Sequence, residues 1–155
     1  MRDTGVVSAR QAAFAIVVML VLAGCGGGGG SSRLSKSEFD AKANAICDTY
    51  QAKINAVAQP QSVSDVPGYI DKVLPLLREG TSKLTGLKPP ADLQSTFDEW
   101  RQIQRDQVDE AVALKKAADK GDAAEVSRIA NEASTKNKRA NDLASQLGAK
   151  TCAQG

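Results

Sequence analysis

From Leu34 onward, apolar residues recur at the three- and four-residue spacing of an α-helix, and this periodicity limits the fold more than any other feature. Strand-like alternation of apolar and polar residues is absent from this part of the sequence. Four periodic stretches are separated by short breakers, which are Gln59-Pro60, Lys88-Pro89-Pro90 and Lys120-Gly121. Because connections of a few residues place successive helices antiparallel, we predict an all-α, up-down-up-down four-helix bundle.

Capping signals mark where two of these helices begin. Ser35 and Glu38 have the spacing of a capping box, in which each side chain bonds the other residue's backbone amide. Asp122 and Glu125 repeat that spacing before the fourth helix. The second helix is the irregular one, since Pro75 falls inside its periodic stretch and should kink or split it.

The N-terminal segment has the composition of an export signal. Its apolar run, from Ala12 to Ala23, is twelve residues long, whereas a membrane-spanning helix needs about 20. The run ends in Leu22-Ala23-Gly24-Cys25, which matches the lipobox where a bacterial lipoprotein signal is cut. We predict that residues 1–24 are removed and that Cys25 is lipidated. An uncleaved anchor, or a signal cut without lipidation, is the alternative.

The predicted domain organisation follows from this signal. Residues 25–33 are the lipidated cysteine and a flexible linker rich in glycine and serine, and residues 34–155 are the helical domain. The acyl chains on Cys25 would hold the protein at the extracytoplasmic face of the cell membrane, with the lipid bilayer as its first partner. The chain has 20 basic and 18 acidic residues, and this balance argues against binding to nucleic acid.

Two cysteines remain once Cys25 is assigned to lipid. They are Cys47 in the first helix and Cys152 near the C-terminus. In an exported protein an even pair indicates a disulfide, so we predict a Cys47–Cys152 bond. Two buried free thiols are the alternative.

The sequence offers little for catalysis. It has no histidine, which excludes Ser-His and Cys-His dyads and histidine-ligated zinc. Carboxylates do cluster on the third helix, at Asp98-Glu99, Asp106 and Asp109-Glu110, but along one face predicted to be exposed rather than across a cleft. We therefore predict no enzymatic activity, no catalytic residue, no metal and no cofactor.

Three aromatic residues are the remaining candidates for a site. Tyr50, Tyr69 and Trp100 lie on or beside apolar stripes. They either belong to an ordinary core or line a groove near Pro75 that binds an apolar or aromatic ligand.

Several segments resemble a group of small exported or lipid-anchored helical proteins that are common in actinobacteria. The similar segments are Lys36-Ser37-Glu38-Phe39, Ala43-Asn44-Ala45-Ile46-Cys47, Leu87-Lys88-Pro89-Pro90 and Leu147-Gly148 through Cys152. The resemblance covers most of residues 35–152 and supports the helical scaffold and the disulfide. The group has no established activity, so the resemblance implies no site.

Two functions follow as hypotheses, of which the sequence favours the first and leaves the second as the alternative. The first is a cell-envelope lipoprotein whose non-enzymatic helical domain interacts with another envelope protein. The second is a lipoprotein that binds a small apolar or aromatic ligand, as a carrier or a sensor. A dry, continuous core favours the first hypothesis, and an apolar cavity of several hundred Å³ beside Trp100 favours the second.

Overall fold

A computed structural model describes residues 32–154, and within that range the chain is helical with no strand. The predicted signal peptide, Cys25 and most of the predicted linker lie outside the described residues. Among the helices described, none is long and apolar enough to cross a membrane. The four long helices are α1 (Lys36–Asn55), α2 (Val66–Thr85), α3 (Gln94–Asp119) and α4 (Ala123–Leu147).

The predicted four-helix bundle is confirmed. Each helix packs against the next along the chain, and the closest packing is between α3 and α4. Three short 3₁₀ helices complete the domain: Val63–Asp65 before α2, Ala91–Leu93 before α3 and Thr151–Gln154 at the C-terminus.

The helix ends follow the capping signals. The Ser35 hydroxyl accepts a hydrogen bond from the Glu38 amide, and the Glu38 carboxylate accepts one from the Ser35 amide at 2.8 Å, which completes the box. At the start of α4 the Asp122 carboxylate accepts from the Glu125 amide at 3.0 Å. The side chain of Glu125 does not reach back, because it pairs with Arg128.

Pro75 lies inside α2 without interrupting it. The helix runs from Val66 to Thr85 as one element, so the proline does not split it, and a kink there stays a prediction. The side chain of Pro75 is exposed, so its ring makes no part of the buried core.

The buried side chains form two separate cores. The aromatic core joins Phe39 and Phe97 edge to face, with ring centroids 5.6 Å apart, and Trp100 packs beside Phe97 at 6.0 Å. The aliphatic core is built on Val66, Ile70, Ala111 and Ala118.

A disulfide joins α1 to the C-terminal 3₁₀ helix. The Cα atoms of Cys47 and Cys152 are 5.2 Å apart, so the predicted bond is present. Asn44 reinforces this link, because its side chain donates to the Gly148 carbonyl at 3.2 Å and accepts from the Thr151 amide at 2.8 Å. These tail contacts add to the packing of α1 with α4, since Phe39 of α1 and Leu143 of α4 belong to the same aromatic core.

Candidate ligand-binding groove

A groove of about 480 Å³ lies between the two cores. Its walls include members of the aromatic core, such as Leu84 and Ala140, and members of the aliphatic core, such as Ile70 and Ala111. All four long helices contribute to it. It reaches the surface, because some lining residues are exposed. The middle of the bundle is therefore an open space flanked by packed ends.

One wall of the groove comes from α1 and α2 and is mostly apolar, with Gln51, Asn55 and Thr81 as its polar members. Its larger side chains are aliphatic or aromatic and are buried or half-buried: Ile46, Tyr50, Ile54, Tyr69, Leu77 and Leu84. The groove-lining residues of α1 continue, at helical spacing, the apolar stripe that begins with Phe39 and Ala43 in the aromatic core.

The opposite wall comes from α3 and α4 and combines amides with small residues. Gln104 and Gln107 lie on α3, and Asn137 on α4 accepts a hydrogen bond from the Gln107 side chain. Ala133 and Ala140 are the small residues that face the same space. Because an alanine side chain is a single methyl group, these two positions fill little of the space.

Tyr50 is a fixed part of the apolar wall. Its side chain is buried, and its ring lies against the backbone of Gly80, where an added Cβ would meet the Tyr50 Cγ at 3.0 Å. The ammonium groups of Lys53 and Lys83 lie 4.8 and 5.6 Å from the ring centroid. Hydrogen bonds from Tyr50 and then from Lys83 lower the pKa of Glu79.

Glu110 is the only charged side chain among the described residues that line the groove. Only 15% of it is exposed, and its Oε1 pairs with the ammonium of Lys136 on α4. That pair raises the pKa of Lys136, chiefly through the hydrogen bond. The second carboxylate oxygen, Oε2, is buried and has no hydrogen-bond partner within the described residues. The carboxylate therefore has one unused hydrogen-bond acceptor.

The three aromatic candidates are divided between the groove and the core. Tyr50 and Tyr69 line the groove. Trp100 is not among its lining residues: it is 1% exposed and packs on Phe97 in the aromatic core, which is why it does not reach the open space. Its indole N–H has no hydrogen-bond partner within the described range.

Sequence reasoning missed the polar wall. The signal was present, since Gln104 and Gln107 interrupt the apolar stripe of the third helix. The sequence predicts Glu110 to be one of a set of exposed acids, but its side chain is largely buried at the groove. Asp98 and Glu99 of the same set form ion pairs with Arg101 and Arg139, at 2.8 and 2.7 Å.

The acidic residues make no metal site in the part of the chain described. No three histidine, cysteine, aspartate or glutamate side chains of residues 32–154 gather closely enough to hold an ion. Two of the basic residues after Thr135 form ion pairs within the domain: Lys136 with Glu110 and Arg139 with Glu99.

Comparison of this chain with protein-family models, with curated proteins and with solved structures gives no match.

Proposed function

We propose that this protein is a cell-envelope lipoprotein whose helical domain binds a small apolar or amphiphilic ligand in the groove between its two cores. It would act as a carrier or a sensor at the extracytoplasmic face of the membrane, without enzymatic activity. The observation that carries this proposal is the groove itself, whose volume is about 480 Å³.

The size and lining of the groove support a small ligand. Ligand sites in proteins usually have volumes of about 300–1,000 Å³ and mostly apolar walls with a few polar groups. This groove has one aliphatic and aromatic wall and one wall with amides. An apolar ligand that covered the α1–α2 wall would gain about 25 cal/mol for each Å² removed from water.

The groove also bears on the choice between the two hypotheses. A domain that only presents its outer surface to a protein partner needs no break in its core, and a packed bundle would be more stable. Here a groove of about 480 Å³, lined by all four long helices, interrupts the packing between the two cores. We therefore prefer ligand binding to the interaction module.

The anchoring half of the proposal depends on Cys25, which lies outside the described residues. We expect Cys25→Ser to prevent lipidation and to release the protein from the membrane fraction, because two or three acyl chains are needed for stable anchoring. Partition into detergent solution against buffer measures this. A Cys25→Ser protein that stays with the detergent as the wild type does would contradict the lipid anchor.

The binding half can be tested on the helical domain alone, because residues 31–155 form a compact unit of their own. The uncharged probe N-phenyl-1-naphthylamine gains fluorescence in apolar surroundings, and we expect the domain to bind it saturably. Ala133→Phe puts a ring into the groove and should weaken binding about tenfold, which is about 1.4 kcal/mol.

The matched control is Ala113→Phe, which adds the same ring at an exposed position of α3 outside the groove. It should leave probe affinity unchanged. Both variants should keep the helical circular dichroism of the wild type. If the probe fails to bind, or if both variants bind it equally, the groove is not a ligand site.

A further inference from the structure

We propose that the groove selects ligands whose polar head group is uncharged, and that the Glu110–Lys136 ion pair maintains this selectivity. This inference rests on the proposed binding function and specifies the class of ligand. An alkyl or ring compound with a hydroxyl or amide head fits it, whereas a fatty acid or an alkylamine does not.

The first argument is the chemistry of the lining. A quarter of the whole chain is charged, yet Glu110 is the only charged side chain among the described lining residues. Six carboxamides take the polar positions instead: Gln51, Asn55, Gln104, Gln107, Asn137 and Asn141. A carboxamide carries both donors and acceptors, so it can bond a neutral hydroxyl or amide whichever way that group points.

The second argument is that the one charge is already neutralised. Lys136 approaches Glu110 from the solvent side, since its side chain is 42% exposed while that of Glu110 is 15% exposed. An ionised head group entering the groove would lose water without gaining a free counter-charge, and such a transfer is unfavourable. An uncharged head group avoids that penalty and keeps the apolar gain of its tail.

Other charged side chains close to the groove walls also form ion pairs within the domain. Glu79 and Lys83 pair with each other at 3.2 Å near the polar end of Tyr50. Neither is among the residues that line the groove. The charge at the groove is therefore that of Glu110, and removing Lys136 leaves this carboxylate without its ion-pair partner. The Lys136 ammonium has further acidic neighbours in Asp106 and Glu132.

The experiment compares three ligands with the same ten-carbon chain at pH 7.5: 1-decanol, decanoate and decylamine. Each competes with N-phenyl-1-naphthylamine for the wild-type domain. We expect 1-decanol to bind about tenfold more tightly than either ionised ligand, since one poorly compensated charge costs at least that much.

Two variants then test the role of the ion pair. Lys136→Gln leaves the Glu110 carboxylate without its ammonium partner, so decylamine should gain about tenfold. Glu110→Gln removes the only charge among the described lining residues, so decylamine should not gain. Decanoate should gain less than decylamine gains in Lys136→Gln, because Asp106 and Glu132 still act on the Lys136 ammonium. Lys138→Gln and Asp109→Asn are the matched controls, because they make the same charge changes at exposed positions outside the groove. The controls should keep the wild-type order of the three ligands.

The outcomes separate this inference from the proposed function. If all three ligands displace the probe equally from the wild type, binding stands and the selectivity is wrong. If 1-decanol is preferred but both variants keep the wild-type order, the ion pair does not set the selectivity. If no ligand displaces a bound probe, the proposed function itself fails. If Glu110→Gln does not fold, the three-ligand comparison in the wild type and in Lys136→Gln still tests whether the ion pair sets the selectivity.

Discussion

At the scale of single residues, the contact between Gly80 and Tyr50 shapes the apolar wall. Gly80 is buried inside α2, where glycine is usually unfavourable relative to alanine by about 0.5–1 kcal/mol. The structure gives the reason for its presence: the ring of Tyr50 occupies the space that a side chain would take. The missing Cβ therefore allows the tyrosine to lie flat in the wall.

Replacing Gly80 tests this explanation. In Gly80→Ala the new Cβ would meet the Cγ of Tyr50 at 3.0 Å and its Cβ at 3.3 Å, and neither atom is the free end of a flexible chain. Overpacking of this kind costs about 1–3 kcal/mol, which exceeds the helix-propensity gain, so we expect the free energy of unfolding to fall by about 1 kcal/mol. Urea denaturation measures it.

The same helix provides a control. Gly68 lies in the first turn of α2, and an added Cβ there would meet nothing within 4 Å. Gly68→Ala should therefore raise the free energy of unfolding by a few tenths of a kcal/mol to about 1 kcal/mol. If Gly80→Ala is as stable as Gly68→Ala, the close contact with Tyr50 does not explain the glycine.

At the scale of the helices, the predictions that succeeded depend on neighbours in the sequence. The Ser35–Glu38 capping box and the helical periodicity of α1 involve residues three or four apart, and such contacts hold in almost any tertiary setting. The number of helices and their breakers follow from the same local rules. This is why the bundle could be predicted before its packing was known.

The groove could not be predicted in the same way, because it depends on what faces each residue across the bundle. Four residues of α3 at three- and four-residue spacing lie on one face of the helix but have different surroundings. Trp100 packs in the aromatic core, Gln104 and Gln107 line the groove, and Ala111 belongs to the aliphatic core. Whether a position is filled depends on the partner helix. The alanines of α4 show low volume in the sequence, but only the structure shows that some of them line an unfilled groove.

At the scale of the whole molecule, the disulfide links the first helix covalently to the C-terminal tail. The bond closes a loop of 105 residues between Cys47 and Cys152. Beside it, Ala149 of the tail is buried in the aromatic core with Phe39. Polar contacts also join α1 to the tail, such as those of Asn44 and the 3.1 Å bond from the Gln51 side chain to the Thr151 carbonyl. Both cysteines also line the groove, so the bond closes one end of the site.

Removing the bond should therefore affect both stability and binding. A loop of this length constrains the unfolded chain by about 5 kcal/mol in the chain-entropy account, and measured losses are about 2–5 kcal/mol. We expect Cys47→Ser with Cys152→Ser to lower the free energy of unfolding by that amount and to weaken the binding of N-phenyl-1-naphthylamine, because α1 would no longer be held opposite α4. Urea denaturation and probe titration measure the two effects.

The matched control is Asn44→Ala, which removes polar links of the same tail while the covalent bond stays. Each lost hydrogen bond contributes about 0.5–1.5 kcal/mol, so this variant should lose less stability than the double serine variant and should keep its probe affinity. Thiol alkylation gives an independent measurement, since both cysteines should resist it in the native protein until a reductant is added. Rapid alkylation of the unreduced protein would contradict the bond, and unchanged probe binding in the double serine variant would show that the groove does not depend on it.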